Sequence, residues 1–416
     1  MQQAALVRLR PVGPWRYGPG DGGEDRVDTL YRSDRLYSAV TIAMKQLGML
    51  DEWLDATARS ASPAVAFTSL FPFQGDTLFA PPPSTLWPPP SGLLTTPSAV
   101  FLAKIRWNAA KFVPVSLIES ILLGQNVLAD QWIPDPETAC LLRRDRPSTS
   151  PFHVVVKTRA AVDRVSNSAI HLHASACVEF ETGAGLWTLV RYSDEEARGQ
   201  WDDRVKGAFR LLADTGFGGK RSSGWGQAEA PEFQPGSWPG VLMPKLARMI
   251  ARAANSNGSI APESSLYWLL SLFSPSARDT VNWREGNYEI AVRGGRIESA
   301  QVNGAEKKRV RMVAEGSVIG APDEPVGAAV DVRPEGFPHA VYRAGFAVAL
   351  KLPVLEIATE QEPVEAPETA EAAEALEPLP CEPPELTDEP EVPPVEPVEQ
   401  PEPPHENAGG ETGDEV

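Results

Sequence analysis

Five glycines fall within eleven consecutive residues, Gly216-Phe217-Gly218-Gly219-Lys220-Arg221-Ser222-Ser223-Gly224-Trp225-Gly226. Glycine loses more conformational freedom on ordering than any other residue and readily takes positive φ, so this stretch is neither helix nor strand. It begins where an apolar stripe at helical spacing stops: Val205, Ala208, Phe209 and Leu212 predict a short helix over 204–214. The chain must leave that helix through a loop of unusual backbone freedom that carries two adjacent cations and two hydroxyls.

Two phosphate-binding loops are excluded by spacing. A Walker-type loop requires a Gly separated by four residues from its Gly-Lys pair and Ser or Thr directly after the Lys, where this chain has Asp214 and Arg221. A dinucleotide fingerprint requires a third Gly at 221 and a preceding strand, and here a helix precedes. The remaining chemistry is a backbone able to expose consecutive amides beside Lys220 and Arg221, which suits close contact with a sugar–phosphate chain. An ordinary surface turn between helix and strand has the same composition, and the loop alone leaves both readings open.

Charge is distributed very unevenly. Of 56 Asp and Glu, 20 lie after Lys351, where no Lys or Arg remains, so residues 1–355 carry 38 basic against 36 acidic side chains. The net charge of −18 therefore describes a tail, and the near-neutral body is not excluded from binding nucleic acid. From Glu356 onward the chain is Glu, Pro, Ala and Val, with 13 of the 41 prolines and no aromatic residue. Such a segment buries too little to offset its ordering entropy, and 356–416 is expected to be disordered.

Upstream, alternation over residues 5–10 predicts a first strand. Ser33 or Asp34 is placed as an N-cap ahead of Leu36, Val40, Ala43, Met44 and Leu47, with Gly48 past the helix end. Residues 64–68 predict a strand, and 72–97 a proline-rich excursion that no regular element crosses, with Leu86, Trp87, Leu93 and Leu94 facing a partner or the body. Strands at 154–156 and 176–180 bracket a polar, partly basic stretch, 157–173. Beyond Pro262, strand candidates fall at 266–273 (equally a buried helix), 288–292, 297–302, 310–313 and 341–352. The order strand, helix, strands, helix, strand suits an α+β ferredoxin-like unit with insertions.

Cys140, Cys177 and Cys381 lie too far apart for a zinc or disulfide framework, and a reducing, cytoplasmic setting is expected. The N-terminus has no secretory pattern and no stretch approaches the ~20 apolar residues of a membrane span. Only five histidines occur, so acid–base chemistry would fall to His171 and His173, two apart on one face of an extended segment. A surface hairpin pair explains them equally well, and no third ligand stands near them for a metal. Lys307, Lys308 and Arg309 form the densest basic cluster, as a solvated turn or a contact for RNA or a partner.

The glycine loop, together with residues 28–39, 67–73, 78–82, 159–166, 315–318 and 339–347, resembles the RAMP superfamily, the RNA-binding subunits of CRISPR interference complexes. More narrowly it is similar to the type III-A subunit that caps the 5′ end of the guide RNA. The acidic tail and Ala344, where an aromatic is usual, depart from the pattern. The resemblance implies two ferredoxin-like, RRM-related domains with insertions, 1–240 bearing a thumb (159–166) and the glycine loop, and 241–355, followed by the tail.

It implies further a non-catalytic antiviral-defence subunit that grips the 5′ handle of the crRNA. Its implied partners are a large polymerase-cyclase-like subunit and a repeated backbone subunit, with no cofactor, metal or membrane. The RNA-binding groups are then Gly216, Gly218, Gly219, Lys220, Arg221, Ser222, Ser223, Gly224, Trp225 and Gly226, with Lys157, Arg159 and Arg164 of the thumb and Arg32 at the first helix. A metal-independent guide-processing endoribonuclease of the same superfamily is the alternative. A target-cleaving backbone subunit with a loop Asp matches the full-length pattern less well.

Overall fold

The computed structural model describes residues 2–18, 23–94, 107–145, 150–162, 165, 169–255, 264–297 and 304–354. In chain order the N-terminal half contains β1 (Gln3–Leu9), α1 (Ser33–Gln46), α2 (Leu50–Ala56), β2 (Val65–Phe67), β3 (Phe71–Gln74), β4 (Thr77–Ala80), β5 (Val113–Pro114) and α3 (Val115–Leu122). It continues with β6 (Trp132–Pro134), β7 (Leu141–Arg143), β8 (Phe152–Val162), β9 (Ala169–Phe180), β10 (Ala184–Tyr192), α4 (Glu195–Thr215), β11 (Glu232–Ser237) and α5 (Pro244–Asn255). The C-terminal half adds β12 (Ser265–Leu269), β13 (Asn282–Asn287), β14 (Ile290–Arg293), β15 (Val310–Val313), β16 (Val318–Ala321), β17 (Gly327–Asp331), β18 (Tyr342–Phe346) and β19 (Ala349–Lys351).

The fold is α+β with antiparallel sheets. β1 pairs with β10 on one side and β11 on the other, and β10 continues through β3 and β4 to β5, with β2 also on β10. β1 is buried at nearly every position because it is flanked on both edges. The buried stripe of α1, Leu36, Tyr37, Val40, Ala43 and Met44, and that of α4, Trp201, Val205, Ala208, Phe209 and Leu212, join one core. The second sheet runs β13-β16-β12-β19, and β14–β15 and β17–β18 are separate hairpins. Trp268, Leu270, Val318 and Phe346 of the C-terminal half belong to the same core as Tyr37, whose ring meets Phe346 edge-on at 5.4 Å.

Several expectations change. α4 begins nine residues before the expected helix, because Asp194 caps it by accepting from the Ala197 amide at 2.8 Å. The proline-rich excursion is entered by the β3–β4 hairpin: Pro72 lies opposite Leu186 of β10, beyond the short ladder that joins Phe73 and Gln74 to β4. Leu93 and Leu94 are buried and Leu86 and Trp87 pack on the core, so these apolar groups serve the chain's own body. Residues 266–273 start as strand β12, and 341–352 divide into β18 and β19. Of the 297–302 candidate only Ile297 is described, and the 356–416 tail lies outside the described residues. Among the described residues, α2, α3 and α5 add three α-helices to the two that periodicity signals.

Ser33 and Asp34 are not caps. The cap position of α1 is Arg32, with no side-chain capping bond. Ser33 Oγ accepts instead from the Leu272 amide at 3.0 Å, and Asp34 takes two arginines from the C-terminal half. Tertiary partners outcompete the local backbone donors for both side chains.

Candidate nucleic-acid interface

The glycine loop is held by close backbone approach. Phe217 is fully buried and stacks on Trp15 at 5.0 Å and 16°. The Gly219 amide donates to Arg16 O at 2.8 Å, Gly226 to Pro14 O at 2.9 Å, and Phe217 to Gly226 O at 2.9 Å. A Cβ on Gly226 (φ +84°) would stand 2.0 Å from Phe217 O, and one on Gly218 (φ +77°) 2.3 Å from Arg16 O. These glycines permit packing against residues 14–16 more than they confer suppleness.

The amides of residues 216, 217, 219 and 223–226 all donate to carbonyls of the protein. Seven of the loop's eleven amides are therefore spent on the protein itself, and much of its recognition chemistry falls to side chains. Lys220, a non-glycine residue at φ +59°, opens the 3-10 turn of Arg221, Ser222 and Ser223. Left-handed backbone costs an L residue about 1–2 kcal/mol, and such strain concentrates at functional positions. Ser222, Ser223 and Gly224 are exposed at the tip.

The stretch that resembles a thumb falls on the β8–β9 hairpin, which takes in residues 157–162 and 169–173 as strand and pairs Arg159 with His173. Arg159 reaches the loop: it donates to Ser223 Oγ at 3.2 Å and lies 5.6 Å from the centre of the Trp225 ring. Trp225 is buried, so its ring supports Arg159 and is not an open platform for a base. Lys220 Nζ pairs with Glu24 Oε2 at 2.9 Å. The Lys220 hydrogen bond, then that of the Ser175 hydroxyl, hold the Glu24 carboxyl below the usual carboxylate range. Lys157 pairs with Glu179, and Arg164 lies outside the described residues.

Beside the loop runs a cleft of about 540 Å³. Arg16, Arg35, Arg221, Arg296, Lys307 and Arg343 line it against Glu24 and Asp34, six cations to two acids. Arg16 is fixed by donation to the carbonyls of Gly23, Glu24 and Ala176, and Arg35 by Asp28 and Gly18. Tyr31 forms part of the wall, with burial raising its hydroxyl to about 12. Fixed cations around a narrow groove concentrate positive potential for a polyanion. Of these residues the sequence singled out Arg221 and the 307–309 cluster. Arg16, Arg35, Arg296 and Arg343 converge from distant positions with no local signal.

Arg32 does not join this cleft. It pairs with Glu315, whose other oxygen accepts from Ser69 Oγ, and Ser69 Oγ in turn accepts from the Ser33 amide at 2.8 Å. Asp34, wholly buried, is held by Arg293 and Arg343. The segments 28–39, 67–73, 315–318 and 339–347 thus meet at one junction between the halves. Ala344 sits there buried on β18, opposite Ala329. His173 is exposed on the thumb, and the side chain of His171 is not among those described. Among the described residues no group of three or more His, Cys, Asp or Glu is placed to hold a metal ion, and no helix is long and apolar enough to cross a membrane.

The architecture is matched by solved structures. A chain of the Csm3-Csm4 subcomplex in the type III-A CRISPR-Cas interference complex aligns over 84% of this chain and 99% of its own, with 13% identity and a TM-score of 0.53. A chain of the Csm1-Csm4 cassette in complex with pppApA aligns over 85% of this chain and 99% of its own, with 18% identity and a TM-score of 0.49. No curated protein matches in sequence. The likeness is one of fold, an α+β frame of antiparallel sheets. Residues 262–352 match the CRISPR Csm4 C-terminal domain.

Proposed function

We propose that the chain is a non-catalytic, RNA-binding subunit of a type III-A CRISPR effector complex that works in the cytoplasm. It grips the 5′ handle of the crRNA and joins a Csm1-like polymerase-cyclase subunit to Csm3-like backbone subunits. The observation that carries this reading is the meeting of thumb and glycine loop at Arg159, beside a cleft with six cations to two acids. Single-stranded RNA is bound by cations that follow the phosphates and by planar groups that stack on splayed bases. Arg159 supplies both properties, and Arg221 and Lys307 extend the phosphate track. The strand order β11-β1-β10-β3, with α1 and α4 as the two connections, favours one ferredoxin-like unit in residues 1–240. The 241–355 half is read as a second.

The test uses the full chain and a short single-stranded RNA with the handle sequence. Arg159→Ala is expected to weaken binding and reduce the salt slope by about one unit, and Lys220→Ala with Arg221→Ala by about two. Unchanged affinity in both would remove the loop and thumb from the RNA interface. Incubation with repeat RNA is expected to leave it intact; cutting that His171→Ala abolishes would establish the endoribonuclease instead.

A further inference from the structure

Asp28, Thr29, Leu30 and Arg32 line a second cleft, of about 640 Å³, that the basic cleft does not share; Tyr31, Asp34 and Arg35 of the same segment line the basic one. One stretch of chain therefore divides the two. The second cleft is completed by residues of the 81–87, 108–112, 287–289 and 314–317 segments. Its formal charge is reversed: Arg32 and Lys111 stand against Asp28, Glu289 and Glu315, and Arg32 is already paired with Glu315. A phosphate chain gains little there.

Its lining suits a flat, hydrogen-bonding ligand. Trp87 is pre-packed, stacked on buried Trp107 at 5.3 Å and 10° with its Nε1 donating to Trp107 O at 3.0 Å. Tyr288, 38% exposed, lines the cleft from the C-terminal half and is steadied edge-on by Trp283 at 5.2 Å. Asn108 and Asn287 add amide donors and acceptors. Rigid aromatic faces beside amides are the equipment with which proteins hold an unstacked base.

We infer that this cleft receives one nucleobase of the strand whose phosphates follow the basic cleft. The inference rests on the RNA-binding reading above and adds a subsite to it. The base is turned across the 28–35 segment, so that backbone and base are read on opposite sides of one wall. Tyr288 and Trp87 provide the stacking faces, and the two asparagines meet the base edge.

The experiment measures affinity and salt slope of the full-length protein for a short single-stranded RNA, and for a series of RNAs each lacking one base. Tyr288→Ala is expected to weaken binding roughly 5- to 100-fold, the range for loss of one stacked base, with the salt slope unchanged. Asn108→Ala, at an exposed position, is expected to act in the same direction. One abasic RNA should show the same loss with the wild type and no further loss with Tyr288→Ala. Wild type that binds RNA while both variants bind equally well overturns the inference and leaves the RNA-binding reading standing. Wild type that binds no RNA overturns that reading itself. Loss of a protein partner from Tyr288→Ala without loss of RNA affinity reassigns the cleft to protein. Saturable binding of a nucleoside monophosphate that Tyr288→Ala removes, with every abasic RNA bound normally, reassigns it to a free nucleotide.

Discussion

Arg293 donates to both carboxylate oxygens of Asp34, Nε to Oδ2 and Nη2 to Oδ1, each at 3.1 Å. Arg343 donates to the same carboxylate and passes its other nitrogen, Nη2, to Gly294 O at 2.8 Å. The residues belong to α1, β14 and β18, so one buried anion ties the N-terminal helix to two hairpins of the other half. The basic cleft opens directly onto this junction.

Removing that anion leaves two buried guanidinium groups uncompensated. Asp34→Ala is expected to destabilise the chain by about 3–5 kcal/mol, measured by urea denaturation at neutral pH. Burial alone would raise the Asp34 carboxyl, but Arg293 and then Arg343 more than offset it and hold it below its ordinary value. A depressed carboxyl contributes stability above its unfolded value, about 3.9, and loses it as pH falls through the folded one. The gap between wild type and Asp34→Asn should therefore narrow as pH is lowered below about 4. A gap independent of pH would show that the charge of Asp34 is not what joins the halves.

Gly226 and Gly224 separate packing from flexibility. Both have positive φ, but a Cβ on Gly224 meets nothing within 4 Å, whereas one on Gly226 would overlap Phe217 O. Gly224→Ala is expected to cost about 1 kcal/mol, the left-handed backbone penalty alone. Gly226→Ala should cost several times more and dislodge Phe217 from Trp15, read by thermal melting and by RNA affinity. Equal effects would mean that the loop does not depend on that approach.

His153 sits at the foot of the thumb with Nδ1 2.8 Å from Glu137 and Nε2 2.9 Å from Glu181. The Glu137 hydrogen bond is the largest influence on the imidazole; it outweighs desolvation and, with Glu181, raises its pKa above the ordinary histidine value. A raised histidine stabilises fully below its unfolded value, about 6.5, and the contribution disappears as pH rises through the folded one. The triad is partly exposed and screened, so His153→Gln should lose less than about 1 kcal/mol at pH near 6 and match wild type in alkaline solution. Melting temperatures across that range decide it; a gap that persists in alkali would mean packing, not charge, holds the thumb foot.

The legible parts of the site were those written in consecutive residues. The glycine loop, the thumb stretch and the 307–309 cluster each stand out locally, and the structure brings the first two together through Arg159 and Ser223. Their roles were less legible. Trp225 looked like a stacking surface and is buried; the loop amides looked free and seven of the eleven donate within the protein; Arg32 looked like a phosphate contact and pairs with Glu315. Each difference comes from a partner hundreds of residues away or across a tight turn, which local composition does not encode.

Periodicity and glycine placement sufficed for β1, α1, the body of α4 and the loop after it, because a stripe at fixed spacing must face a core and a glycine run cannot hold a helix. Charge counting likewise separated a near-neutral body from an acidic tail. The division of the cations was settled by packing. Arg293 and Arg343 are consumed on Asp34, while Arg16, Arg35 and Arg296 gather around one groove from positions as far apart as 16 and 296. Burial decides whether a charge is spent on an internal partner or left facing a groove, and burial is a property of the folded neighbourhood, not of any stretch of chain.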